Sequence, residues 1–124
     1  MSKREGLRAS LVRALAFLER TLVEPQSEIQ RAASIQAFEF TYELSWRLLQ
    51  ELLRDEGVEA ATPRATFRSA GDAGLIDDVE AWFGYLRARN LTSHTYNEAT
   101  AREVYAVVSG GFAHEVGAII SAAA

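Results

Sequence analysis

The sequence predicts an all-α fold, an antiparallel up-and-down four-helix bundle with one additional short helix. Three observations lead there: apolar residues recur at spacings of three and four, no β-branched run alternates as a strand would, and only two prolines interrupt 124 residues. That length suits a single helical domain spanning 1–124, long enough to bury roughly two-thirds of its unfolded surface. Hydrophobic residues make up 48% and charged residues 24%, close to globular averages, which excludes a disordered or highly charged class.

The first helix, about 5–22, is carried by Leu7, Leu11, Ala14, Leu15, Leu18 and Leu22, and Pro25 forbids its continuation. Ser27 is a suitable N-cap for a second helix of about 28–56, with Gly57 as its stop. Phe38, Tyr42, Ser45, Leu49 and Leu52 form one stripe on it, while Ala33, Phe40, Leu44 and Leu48 place apolar bulk on another side. A helix apolar on two sides needs two partners, so Phe40 and Leu44 are the residues expected to meet a second copy of the chain. Thr62-Pro63 then reads as N-cap and first helical position of a short helix through Phe67 and Ala70, closed by Gly74. Asp77 is expected to cap the next helix in a capping box with Glu80, and Val79, Trp82, Phe83 and Leu86 supply its buried face. Asn97 starts a final helix of about 98–121, in which Gly110-Gly111 is a weak point. Trp46 and Trp82 fall in apolar-periodic stretches and read as core or interface anchors rather than stacking platforms.

A formal charge of −4 argues against a dedicated nucleic-acid coat, although it leaves room for a local basic patch. The absence of cysteine removes thiolate chemistry and sulfur-ligated zinc, and two histidines, His94 and His114, leave little for a metal site. The start of the chain is amphipathic, and its longest nearly apolar run, 116–124, is too short to span a bilayer, so a cytoplasmic protein without membrane partners is expected.

The richest chemistry lies in the octet Arg89-Asn90-Leu91-Thr92-Ser93-His94-Thr95-Tyr96, where a fixed cation, an amide, hydroxyls, an imidazole and a phenol follow an apolar-periodic run. Arg89 and His94 are five positions apart, which a continuous helix would separate by roughly 140°. Unwinding after Asn90 would let Thr92 and Ser93 turn the chain and bring the imidazole toward the guanidinium; a two-fold dimer offers another route. An imidazole suits proton transfer to or from ribose and phosphate oxygens near neutrality, Arg89 suits phosphorane charge, and Asn90, four residues before His94, could orient the ring. The competing reading is structural: a helix-terminal histidine answering the helix dipole, and an arginine in a solvated ion pair. Glu39 and Glu43 stand four apart and repel unless each has a partner, so they either line a polar groove or pair with arginine. Arg64 and Arg68 share a face and could extend a phosphate-binding patch beside Arg89.

The runs Phe38-Glu39-Phe40-Thr41-Tyr42-Glu43-Leu44-Ser45-Trp46, Thr62-Pro63-Arg64, Gly74-Leu75-Ile76-Asp77 and the octet, in that order, resemble the nucleotidyltransferase substrate-binding protein family. The likeness covers about 8–110. That family looks like a branch of the HEPN superfamily and is similar in fold to the helical C-terminal domain of kanamycin nucleotidyltransferase. The resemblance implies a homodimeric four-helix bundle acting with a separate small nucleotidyltransferase subunit, which would hold ATP and Mg while this chain holds no cofactor. The chain itself has neither a Gly-Ser nucleotide signature nor an Asp-x-Asp metal motif. Asn90, Thr92, Ser93, Tyr96, Glu39, Glu43 and Arg64 are the candidate substrate- or partner-binding residues. The octet also resembles the Arg-x4-His-x-Tyr pattern of HEPN toxins, metal-independent RNases. That likeness implies Arg89 and His94 as catalytic, Asn90 as supporting, Tyr96 as a site of adenylylation, and RNA or a nucleotide as ligand.

Overall fold

A computed structural model describes all 124 residues. The helices are α1 (Lys3–Val23), α2 (Glu28–Asp55), the short α3 (Pro63–Asp72), α4 (Val79–Leu91), α5 (Glu98–Val108) and α6 (Phe112–Ala122), with no strand. Contacts between α1 and α2 run in opposite senses: Lys3 pairs with Glu51 at one end, Phe17 meets Phe40 midway, and Thr21 meets Ser34 at the other. Likewise Arg4 reaches the Ala123 carbonyl and Arg8 the Ile120 carbonyl, so α6 runs antiparallel to α1. The bundle is therefore up-and-down, with α5 and α6 together forming its fourth rod.

Local chemistry sets most helix ends. Ser27, Thr62 and Asn97 each accept a backbone N–H from three residues on, and Pro63 occupies the first helical position of α3. Gly57 and Gly74 carry φ of 82° and 75°, the left-handed conformation that ends α2 and α3 and that a side chain would resist. Three boundaries differ from expectation. Ser2 forms a capping box with Glu5, which starts α1 at Lys3 rather than 5. Asp78, not Asp77, caps α4, its carboxylate accepting Ala81 N–H at 2.9 Å, because Ile76 is drawn into the core first; Glu80 then sits in the first turn outside any capping box. The last helix is broken at Ser109-Gly110-Gly111 into α5 and α6, which meet at 44°. The break lets Phe112 turn inward against Phe38, Tyr85 and Trp82.

The core is aromatic at its centre. Trp82, fully buried, packs against Phe67 at 5.2 Å, Tyr85 at 5.0 Å and Phe112 at 5.9 Å between ring centres. Close approach of α3 to α4 depends on Gly71, where a Cβ would overlap the Val79 side chain. A second, polar layer ties α1, α2 and α5: the buried Gln30 Nε2 lies 2.9 Å from the Thr21 carbonyl and 3.0 Å from the Tyr105 hydroxyl, and Ser34 Oγ donates to Thr21 Oγ1. The aromatic layer fixes α4 against α3 and α6, and the polar layer fixes the N-terminal half of α2 against α1 and α5. No single helix is long and apolar enough to cross a membrane.

Candidate functional site

The octet stands where α4 ends. Helical geometry persists through Leu91, one residue beyond the expected break, and Thr92–His94 form a single 3-10 turn. Thr92 makes that turn: its hydroxyl donates to the Arg89 carbonyl at 2.7 Å and accepts from Arg89 Nη1 at 2.9 Å, while Thr95 Oγ1 donates to the Thr92 carbonyl. Thr92 is buried and is part of the support, whereas Asn90, Ser93, His94 and Tyr96 are exposed.

Arg89 and His94 do not bond to each other. The guanidinium turns toward α2, with Nη1 at 3.9 Å from Glu39 Oε2, and its Nε is buried without a partner. His94 turns the other way, its Nδ1 at 3.4 Å from the Tyr96 hydroxyl and the two rings 6.0 Å apart. Tyr96, not Asn90, is thus the side chain that touches the imidazole, because the 3-10 turn takes His94 off the α-helical register that would have stacked it over Asn90.

The two glutamates of α2 part company. Glu39 faces the octet through Arg89. Glu43 accepts the Trp46 indole N–H at 3.2 Å and pairs with Arg47 at 3.6 Å, so it is occupied within its own helix. Between them, Tyr42 is buried with its hydroxyl unpartnered; burial pushes the phenol up, Glu43 adds to the shift, and Arg89 offsets part of it. Arg64 and Arg68 do not lie beside Arg89. Their guanidiniums sit 4.8 and 5.9 Å from the Phe83 ring centre, on another face of α4.

A groove of about 570 Å³ opens between the N-terminal half of α2 and the chain leaving the octet. Ile35, Ala32 and Ala101 give it an apolar floor, Glu28, Gln36 and Glu39 form one wall, and Thr95, Tyr96 and Glu98 the other. Tyr96, 85% exposed, stands on its rim. Arg31 crosses from α2 toward Glu98 at 4.0 Å, and the same carboxylate oxygen is held by Arg102 at 2.9 Å. Sequence reading did not pick out Arg31, Ile35, Gln36 or Glu98. The signal was present for α2, where Arg31, Ile35 and Glu39 recur every fourth residue and so share one face. Nowhere do three His, Asp or Glu side chains converge to hold a metal ion.

The class of protein so defined is a small all-helical bundle with a groove beside α2, rimmed by Thr95 and Tyr96 of the octet. The chain belongs to the nucleotidyltransferase substrate binding protein-like family, whose sequence pattern matches residues 7–123. It is 38% identical over 82 residues to the probable ribonuclease HepT of Haemophilus influenzae, a likeness spanning 62% of this chain and only 56% of that protein. Among solved structures, a protein of Thermus thermophilus superposes with a TM-score of 0.83 at 35% identity, over 90% of this chain and 96% of that one. A Haemophilus influenzae protein, described as having the fold of a substrate-binding domain of a nucleotidyltransferase, superposes with a TM-score of 0.77 at 32% identity, over 92% of this chain and 96% of that one.

Proposed function

We propose that this chain is the substrate- and partner-binding subunit of a two-component nucleotidyltransferase, a cytoplasmic, single-domain protein whose separate catalytic subunit holds ATP and Mg. The observation that carries the reading is the groove between α2 and the octet, rimmed by exposed Tyr96 and backed by the fixed Glu39–Arg89 pair. An apolar floor with polar walls is what a docking or acceptor site needs: area to bury, and a few groups to fix orientation. Family membership and the Haemophilus fold described as a substrate-binding domain point the same way.

The bundle acts as a homodimer in this reading. Phe17 and Phe40 are both exposed on the α1–α2 face, 6.0 Å apart between ring centres, with Leu44 one turn on. A second copy seated there would bury at least about 1,000 Å² in total. Sedimentation as a monomer at tens of micromolar refutes that part.

The partner reading is tested by calorimetry with a small nucleotidyltransferase encoded beside this chain, followed by the mass of this chain after incubation with ATP and Mg²⁺. Binding that weakens in Arg89→Ala and Tyr96→Ala is expected, and a mass gain of one AMP would identify Tyr96 as an acceptor. Absence of any complex defeats the proposal.

A second reading has a specific observation behind it: His94 is exposed with a phenol at its Nδ1, and a relative is named a probable ribonuclease. As an RNase, His94 would take the proton of a ribose 2′-OH. That oxygen would attack the adjacent phosphorus, and the 5′ oxygen would leave with a proton, giving a 2′,3′-cyclic phosphate. Arg89 would then have to exchange Glu39 for the phosphorane, which is why the first reading is preferred. Cleavage of varied RNAs in EDTA, abolished by His94→Ala, would reverse that preference.

A further inference from the structure

Arg31 is more deeply enclosed than any other ion-paired arginine of the chain, its side chain 13% exposed against 34% or more for the rest. Yet its guanidinium donates no hydrogen bond within the chain. The carboxylate oxygen nearest to it, Glu98 Oε1, stands 4.0 Å away and is already held by Arg102 at 2.9 Å. Enclosing a guanidinium without acceptors is unfavourable unless its N–H groups are answered from outside the chain. They can be, because none of its nitrogens is sealed off as Arg89 Nε is. The side chain stands between two hollows, the groove beside the octet and a smaller one of about 270 Å³ against α5.

The two hollows differ in charge. Glu28, Glu39 and Glu98 all line the groove. The smaller hollow is lined by Gln26, Arg31, Arg102, Tyr105, Ala106 and Ser109, without a carboxylate. Two guanidiniums meet there, and the one carboxylate that reaches them, that of the exposed Glu98, belongs to the groove side. Neither hydroxyl supplies the missing negative charge: Ser109 Oγ donates to the Tyr105 carbonyl, and the Tyr105 phenol accepts an N–H from Gln30. Two cations against one carboxylate leave a positive charge unanswered. We infer that this hollow, between the start of α2 and α5, binds a small oxyanion, a phosphate or a carboxylate, through Arg31 and Arg102. A guanidinium presents paired N–H donors to two oxygens of such a group, and the 4.0 Å gap to Glu98 leaves those of Arg31 free for it. Since Arg31 also lines the groove, a bound anion fixes that wall of the groove from behind. The inference goes beyond the partner reading and does not depend on it.

The test is titration of the full, isotope-labelled chain with sodium phosphate and, separately, with sodium acetate, at an ionic strength held constant with sodium chloride and read by amide NMR shifts. Saturable shifts centred on residues 26–31 and 102–109 are expected with at least one of the two, and the tighter one names the anion. R31Q and R102Q should each weaken binding about tenfold, the loss of a charge-assisted hydrogen bond. E98Q, which removes the competing carboxylate, should tighten binding about threefold. R64Q, whose guanidinium lies over Phe83 and outside the hollow, should bind as the natural chain does. Should R31Q melt early, R102Q serves alone, because Arg102 is exposed and supports no packing. No saturable shift with either anion, shifts centred on the octet, an unaltered affinity in R102Q, or weaker binding in E98Q overturns the assignment. Calorimetry with the nucleotidyltransferase, run without phosphate or acetate, tests the partner reading separately, so the two proposals fail independently.

Discussion

The body of α4 and the octet that ends it follow opposite rules. From Val79 to Ala88 the helix is an anchor, with Trp82 and Tyr85 buried among the aromatic rings of α3 and α6 and Phe83 buried under the Arg64 and Arg68 guanidiniums. From Arg89 through Tyr96 most side chains are polar, and several face solvent. The contrast shows how a small bundle presents chemistry: the buried body fixes the helix axis, and the octet that projects beyond the core can carry groups chosen for reactivity or recognition. Changes in the body should therefore be read in stability, and changes in the octet in binding.

Trp82→Ala should break the anchor most severely. Removing a fully buried indole from between Phe67, Tyr85 and Phe112 should cost about 3–5 kcal/mol in denaturant unfolding. A loss below about 1 kcal/mol would mean that the rings are not the support described.

Next in size is the response to alkali. Tyr85 is pushed up to about 12 by burial, with the nearby Glu115 and Asp78 adding to it. A raised phenol means that the folded state holds its proton more tightly, so the contribution is fully present below about pH 10 and is lost as pH rises toward 12. The difference corresponds to about 2–3 kcal/mol at about 1.4 kcal/mol per unit. The natural chain should lose stability over that window, and Tyr85→Phe should lose correspondingly less. Equal alkaline slopes in the two proteins would refute the assignment.

Arg89→Ala tests the boundary between the two. The half-buried guanidinium holds Thr92 and Glu39, but much of the ion pair is screened, so a loss of about 1 kcal/mol is expected in thermal unfolding. A loss as large as that of Trp82→Ala would place Arg89 with the anchor. Smallest of all, His94→Ala should stay within about ±0.5 kcal/mol, since the ring is exposed and touches only Tyr96. A larger drop would mark His94 as a packing residue.

Much of this molecule was legible in order along the chain. The all-α class, the caps at Ser27, Thr62 and Asn97, the stops at Gly57 and Gly74, and the burial of Trp46 and Trp82 follow from residue types and spacings. The octet was also legible as a polar cluster at a helix end. What each of its members touches was not: Arg89 turned to Glu39, His94 to Tyr96, and Arg64 to Phe83 rather than to Arg89.

The division has a physical cause. Capping hydrogen bonds, left-handed glycines and apolar periodicity act over three or four residues, so the sequence by itself determined which segments are helices and nearly where they stop. The choice of Asp78 over Asp77, the 44° break before Phe112, the groove shared by Arg31, Glu39 and Tyr96, and the convergence of Arg64 and Arg68 on Phe83 were decided only by tertiary structure. Each depends on which face of one helix meets which face of another, and that is settled by packing the aromatic core to density without voids.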